Sequence, residues 1–307
     1  VIIAIIGRTE ILYETVELFL KNGYKIPLII TYKEAPEYTK TSKDFEELAN
    51  KIGAKYIYTN RLDEHKEEIK KVNCDIAVSL NYSSIISQSI IDLFPIGVLN
   101  AHGGDLPRYR GNACQAWAII NGEKKIGLCI HSMIGGEVDS GNIIDRKYLD
   151  IDINTKVTKC WEWMSQRIPD MFLNSVQKLQ KDSKYVLEVQ SKDAKDALRC
   201  YPRILEDGKI DWNKSSIEIL RLINASNKPY SGAYCFYEDK KLIIWDAELF
   251  EDDEIYLAEI GQIANINKDG SVIVISGNGK LKINEIEYDE FIGKPSEKIR
   301  SIRKRLK

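Results

Sequence analysis

The chain has 307 residues, 44% of them hydrophobic, with 44 Lys+Arg against 46 Asp+Glu. That length can bury a sizeable core and is expected to split into two domains. The near balance of charge excludes the overall positive field that holds a protein on nucleic acid or anionic lipid, so composition points to a small-molecule substrate.

The apolar start VIIAIIG has no basic flank and runs at once into Arg8, Thr9 and Glu10, so it reads as a buried strand and not as a signal peptide. No stretch approaches the roughly 20 apolar residues of a membrane-spanning helix. From there to about residue 100, short β-branched runs alternate with helical patterns, as βαβ units around a parallel sheet do. Strands fit 1–6, 25–31, 54–58, 74–80 and 97–101. Between them ILYETVELFLKNG and SKDFEELANKIG space their apolar residues as amphipathic helices and end in Gly23 and Gly53, as glycine-capped helices do. A doubly wound, mostly parallel α/β sheet is therefore expected, with its ligands beyond the carboxyl ends of the strands, in the loops after residues 6, 80 and 101. The turn Gly7-Arg8-Thr9 lacks the G-x-G-x-x-G that wraps a dinucleotide pyrophosphate, which argues against a dehydrogenase.

Further along, GLCIHSMIGGEVDSGNIIDRKYL reads as strand, loop, strand, and 155–181 as a long helix opening with Thr155. This closes a first domain over 1–200. Over 201–307 the texture becomes β-rich, with hairpin-type turns at Lys268-Asp269-Gly270 and Gly277-Asn278-Gly279, as in a small, partly open barrel. The basic ending IRSIRKRLK reads as a solvated terminal helix. The six cysteines (Cys74, Cys114, Cys129, Cys160, Cys200, Cys235) form no C-x-x-C pair and read as reduced, core-packed thiols of a cytoplasmic protein, with no metal site expected.

The densest cluster of unusual residues runs from Val98 to Asn112, VLNAHGGDLPRYRGN. Asn100 and His102 stand two apart at the end of a strand, so both face one side of the sheet and share one pocket. An amide, an imidazole and a glycine pair together at a strand's carboxyl end mark a functional site, whereas His65, in the charged run DEHKEEIKK, reads as solvated. A second cluster, Gly135-Gly136-Glu137-Val138-Asp139-Ser140-Gly141, places a carboxylate among glycines, as a ligand loop or a plain turn. His131, in GLCIHSM, is read either as a core histidine or as a neighbour of the site.

N-A-H-G-G-D-L-P-R-Y-R-G-N followed by G-x-V-D-S-G resembles the folate-dependent formyltransferase family, which includes methionyl-tRNA formyltransferase and the enzymes that N-formylate nucleotide-linked amino sugars. The family's Asn-x-His, Leu-Pro-x-x-Arg-Gly and Asp-x-Gly motifs match residues 100–102, 106–111 and 139–141, and the likeness continues more weakly through Asn121-Gly122-Glu123 and KPYSGAYCF to the last residues. It implies a Rossmann-like formyltransferase core over 1–200 with a C-terminal OB-like accessory domain over 201–307. It also implies N10-formyltetrahydrofolate as cosubstrate and Asn100, His102 and Asp139 as the catalytic trio. The loop carrying Leu80, Asn81, Tyr82, Ile85 and Ile86, with Gly136 and Val138, would hold the folate.

The chemistry asks for these residue types. An amide donor such as Asn100 can stabilise the oxyanion formed when an amine attacks the formyl carbon. A neutral imidazole, His102, can take the amine's proton. Asp139 can orient and stabilise that imidazole or relay the proton onward, and both roles stay open.

The H-G-G-D-L-P-R-Y-R-G-N form is closer to the sugar N-formyltransferases than to the transfer-RNA branch. The 17 Lys+Arg against 19 Asp+Glu over 201–307 give a polyanion little attraction. The expected acceptor is therefore a dTDP-, UDP- or GDP-linked amino sugar, of the kind used in O-antigen or lipopolysaccharide biosynthesis. Arg8, Thr9, Arg108, Tyr109 and Arg110 are expected near the sugar nucleotide, the arginines to meet its diphosphate. Tyr109 or Trp117 could stack on it, although Trp117 sits as naturally in a helix core. No nucleic-acid or membrane partner is expected, and a homodimer rests on analogy alone. Methionyl-tRNA formyltransferase, a formylfolate hydrolase and a non-catalytic binding module are the rival readings.

Overall fold

The computed structural model describes all 307 residues. In chain order the elements are β1 (Ile2–Gly7), α1 (Glu10–Lys21), β2 (Lys25–Thr31), α2 (Ser42–Ile52), β3 (Lys55–Tyr58), α3 (Lys66–Val72), β4 (Ile76–Leu80), α4 (Gln88–Ile91), β5 (Gly97–His102), β6 (Arg110–Gly111), α5 (Cys114–Asn121), β7 (Lys125–Ser132), β8 (Ile143–Asp150), α6 (Val157–Lys181), β9 (Arg199–Cys200), α7 (Ser216–Ala225), β10 (Ala233–Tyr237), β11 (Lys240–Phe250), β12 (Ile263–Ile266), β13 (Val272–Ile275), β14 (Lys280–Tyr288) and β15 (Phe291–Gly293). They form two compact units: 1–111 with 127–148 and 162–199, and 112–126 with 149–161 and 200–307. No helix is long and apolar enough to cross a membrane.

The first unit is built on a seven-stranded sheet in the order β3-β2-β1-β4-β5-β7-β8. β1 pairs in parallel with β2 on one side and β4 on the other, and β5 pairs in parallel with β4. The chain thus leaves β1 in one direction and returns on its other flank, which opens a crevice at the carboxyl ends of β1 and β4. Ile3, Ile5, Ile29, Ile76 and Val78 are fully buried, which explains why these strands read as continuous apolar runs instead of alternating ones. Helix α2 starts where Thr41 and Asp44 form a reciprocal capping box and stops at Gly53 in the left-handed conformation. The Thr41 hydrogen bonds hold the Asp44 carboxyl down at about 2.

In the second unit the sheet is antiparallel, β10-β11-β14-β13-β12 with β15 added on β14, and helices α5 and α7 belong to the same unit. The two glycine turns fall where expected, between β12 and β13 and between β13 and β14. Helix α7 lies in a stretch read only as β-rich. Its signal was present in Ser215-x-x-Glu218, a capping box, ahead of buried Ile219, Leu220 and Ile223. The expected terminal helix does not form. Ile299 and Leu306 are buried, the chain turns at 302–303, and the Leu306 and Lys307 N–H groups donate to Gly261 and Phe236 at 2.9 Å, so the last residues are held against the second unit's sheet by its apolar contacts. All six cysteines are free and buried, and burial pushes the Cys74 and Cys160 thiols up to about 12.

One contact fixes the crevice. Gly7 has φ 143, and a Cβ there would lie 2.0 Å from the Leu80 carbonyl oxygen, the same oxygen that accepts the Arg8 N–H at 3.0 Å. Gly23 also has positive φ but nothing within 4 Å. Chemical denaturation is therefore expected to show Gly23→Ala costing ~1–2 kcal/mol from backbone strain alone, and Gly7→Ala more than ~3 kcal/mol because steric overlap adds to the strain. Equal losses would mean that the Gly7–Leu80 contact is not a constraint.

Candidate active site

β7 runs antiparallel to β5 and pairs Asn100 with His131 and His102 with Cys129. Directly paired residues, and residues two apart, share a face of the sheet. Asn100, His102 and His131 therefore stand together: Asn100 Nδ2 is 3.2 Å from His131 Nε2, and the two imidazole rings meet edge to face with centroids 6.3 Å apart. The 133–142 loop brings Asp139 onto the same group, with Oδ2 3.4 Å from His102 Nδ1 and Oδ1 3.4 Å from His131 Nε2. His131 lies between Asn100 and Asp139 and touches both, at 1% exposure. Its position two residues past the β7 partner of His102 was the available clue.

Hydrogen-bond partners assign the protons. His102 Nε2 is 2.6 Å from the Tyr109 carbonyl and so carries an N–H; His131 Nδ1, 2.9 Å from the Ser132 carbonyl, does the same. His102 Nδ1 and His131 Nε2 then face Asp139 at 3.4 Å each, longer than ordinary hydrogen bonds of roughly 2.7–3.2 Å. Burial pushes the His102 imidazole below its ordinary 6.5, helped by His131 and Arg110 and opposed by Asp139 and the Tyr109 carbonyl. For Asp139 burial acts to raise the pKa, but attraction to the His102 and His131 rings in their protonated forms and the Gly111 N–H, which donates to Oδ2 at 2.9 Å, outweigh it and hold the carboxyl well below the usual range. At neutral pH the site thus holds an ionised carboxylate beside a neutral His102, whose Nδ1 faces that carboxylate.

The turn after β5 is shaped for this. A Cβ on Gly104 would lie 2.2 Å from the Tyr109 oxygen and 2.5 Å from His102 Nε2, so only glycine lets that carbonyl reach the ring. Arg146 of β8 braces the turn, donating from Nη1 to Asp105 Oδ1 at 2.5 Å and from Nη2 to the Leu106 carbonyl at 2.7 Å and Glu188 at 3.0 Å. Nothing in the local pattern around Arg146 announced this role. Backbone strain clusters here too: Tyr109 and Asp139 hold left-handed φ of 56° and 52°, as functional loops often do.

The residues expected near the sugar nucleotide divide. Arg108 is exposed, its guanidinium 5.4 Å from the Tyr109 ring centroid. Tyr109 is only 3% exposed, so its ring is packed inward, and its carbonyl meets His102 Nε2. Arg110 is turned inward, donating to Gln190 Oε1 at 2.8 Å. Arg8 knits the strand-end loops, from Nε to the Asn81 carbonyl at 2.8 Å and from Nη1 to the Lys33 carbonyl at 2.5 Å. Thr9 is buried at φ 95 and caps α1 by accepting the Leu12 N–H. Trp117 lies half-buried in α5, its Nε1 donating to the Tyr201 carbonyl at 2.9 Å.

Of the residues expected to hold a folate, Leu80 and Ile86 are core, Ile85 is 67% exposed, and Tyr82 donates its hydroxyl to the Thr59 carbonyl at 2.7 Å. Asn81 donates to the Tyr38 hydroxyl at 3.2 Å. Gly136 is exposed and Val138 half-buried. The two stretches are adjacent, because the Gly135 N–H donates to Gln88 Oε1 at 2.8 Å. No group of three or more His, Cys, Asp or Glu side chains is arranged to hold a metal ion.

Residues 1–171 match the sequence model of the formyl transferase family, and residues 204–301 that of the formyl transferase C-terminal domain. The methionyl-tRNA formyltransferase of Ruminiclostridium cellulolyticum is 26% identical over 294 residues, 94% of this chain and 92% of that protein. The bifunctional polymyxin resistance protein ArnA of Wigglesworthia glossinidia brevipalpis is 30% identical over 296 residues, 92% of this chain and 42% of that protein. In fold, the chain resembles the N-formyltransferase from Helicobacter canadensis, solved with folinic acid and dTDP-3-aminofucose, with a TM-score of 0.67 at 20% identity over 92% of this chain and 99% of that one. The first match alone spans more than half of the chain and contains Asn100, His102, His131 and Asp139, and on it the protein belongs to the formyl transferase family.

Proposed function

We propose that the chain transfers the formyl group of N10-formyltetrahydrofolate to the primary amine of a nucleotide-linked amino sugar. The observation that carries the reading is the convergence of Asn100, His102 and Asp139, with His131, at the end of β5. As the amine attacks the formyl carbon, one N–H of the Asn100 amide stabilises the developing oxyanion while the other is held by His131. His102 Nδ1 takes the amine proton, and the imidazolium formed sits against the Asp139 carboxylate, which stabilises its charge. Collapse of the tetrahedral adduct breaks the bond to N10 of the folate, and the captured proton goes to that nitrogen.

The sugar acceptor is supported by the H-G-G-D-L-P-R-Y-R-G-N motif, the net charge of −2 over 201–307 and the dTDP-aminosugar bound by the Helicobacter canadensis relative in fold. The competing acceptor, methionyl-transfer RNA, has the names of curated relatives on its side. Residues 201–307 are accessory in this reading, serving packing, subunit contact or ligand binding.

Incubating the protein and N10-formyltetrahydrofolate with a panel of dTDP-, UDP- and GDP-linked amino sugars is expected to give one product heavier by a formyl group. A gain on methionyl-transfer RNA and on no sugar would overturn the acceptor but leave the chemistry standing.

In steady-state assays His102→Asn is expected to lower kcat by ~10²–10⁴, and Asn100→Ala by ~10²–10³, each with folate binding by titration nearly intact. A His102→Asn variant of full activity would remove the base.

The pH dependence follows from the direction of the His102 shift. Because its folded pKa lies below the ordinary 6.5, the neutral form predominates at pH 7 and the acid limb of kcat/KM should fall below pH 6.5. Replacing Asp139 by Asn removes the charge that favours the imidazolium, so the midpoint should move lower still while the plateau falls. An acid limb that moves upward in Asp139→Asn would contradict the proton assignment.

A further inference from the structure

The position of Asp139 is set from outside its own loop. Its backbone holds a left-handed φ of 52°, which a non-glycine residue keeps only when its surroundings enforce it. Its carboxylate is gripped by the Gly111 N–H at 2.9 Å. Its main-chain carbonyl is gripped by Gln190, whose Nε2 donates to Asp139 O at 2.9 Å and to Gly141 O at 2.6 Å. Gln190 Oε1 accepts the Arg110 Nη2 at 2.8 Å, and Gln190 is 4% exposed. Both amide protons and the carbonyl of Gln190 are therefore used, and its orientation is dictated by its partners. Arg110 adjoins Gly111, so one buried amide ties the two grips together. Arg110 makes no ion pair, and its buried Nε has no partner, so Gln190 is its principal anchor.

We propose that Gln190 is a positioning residue for the transfer reaction, an amide latch that fixes the Asp139 loop to the Arg110-Gly111 strand and thereby sets the distance from the Asp139 carboxylate to His102. Asp139, His131, Arg110 and the Tyr109 carbonyl all act on the His102 ring. Of these, Asp139 and Arg110 are held by Gln190, and they act on the imidazole in opposite senses. Losing the latch loosens both, and because Asp139 acts on the ring more strongly than Arg110, the net effect is to weaken the one side chain that favours the imidazolium. The kinetic consequence rests on the proposed role of the trio; the ring titration does not.

The chain has three histidines, so His65→Gln and His131→Asn spectra assign the His102 ring signals by elimination in the intact protein. Gln190→Met keeps side-chain length and removes every hydrogen bond, and Gln190→Asn keeps an amide that is one methylene too short. In either variant the His102 midpoint, followed by NMR without folate or acceptor, is expected below that of the wild type. kcat is expected to fall ~10–10²-fold, as misplacements of about 1 Å do, with KM for the folate unchanged. A His102 midpoint equal to that of the wild type in whichever variant folds overturns the latch, and it does so even if kcat falls, because loss of activity alone is what a merely structural residue would give. A lowered midpoint in a protein that formylates no amine would uphold the latch and sink the proposed transfer.

Discussion

Asp139 carries a charge into a largely buried site, and much of the first unit is arranged around making that tolerable. A carboxylate removed from solvent without compensation costs several kcal/mol and would ordinarily take up a proton. Here the Gly111 N–H, together with attraction to either imidazole once it carries a proton, opposes that tendency, and the carboxyl stays ionised. The same burial acts on His102 with the opposite outcome, because an imidazole is neutral when it gives up its proton and a carboxyl is not. Burial thus favours the neutral form of both groups, and the partners of Asp139 are what separate their states.

The sheet supplies the remaining geometry. Parallel pairing of β1, β4 and β5 brings three strand ends to one edge. Antiparallel β7 then sets His131 beside Asn100 and leaves the 133–142 loop to cross back over the strand ends. Register decides this: a slip of one residue would turn His131 to the opposite face and leave the Asn100 amide without its partner.

Much of the fold was legible because the signals were local and redundant. The β1 and β4 runs are apolar on both faces, and α2 is announced at both ends by Thr41 and Gly53. Asn100 and His102 were legible as a pair through their spacing on a strand. What the sequence could not show is the assembly of residues brought together from far apart. Gln190 and Arg146 meet the site from 80 and 41 residues away from Arg110 and Asp105, with no motif to mark them. Arginines were read as cations waiting for a diphosphate, yet Arg8 and Arg110 direct several of their donors to carbonyl oxygens of the chain itself, since a guanidinium has five N–H groups and loops have many unsatisfied carbonyls. The terminal IRSIRKRLK was misread for a related reason: charge frequency outvoted Ile299 and Leu306, whose burial is set by strands distant in sequence.

The bond from His102 Nε2 to Tyr109 is made to a main-chain carbonyl. A catalytic tautomer fixed by a side chain is lost by one substitution at that side chain. A tautomer fixed by the peptide unit is indifferent to what residue 109 carries, so long as the turn keeps its course. Heritable variation at 109 can therefore reshape the surroundings while the proton bookkeeping of the imidazole is inherited unchanged, and the vulnerable position passes to Gly104, where any side chain would force that oxygen away.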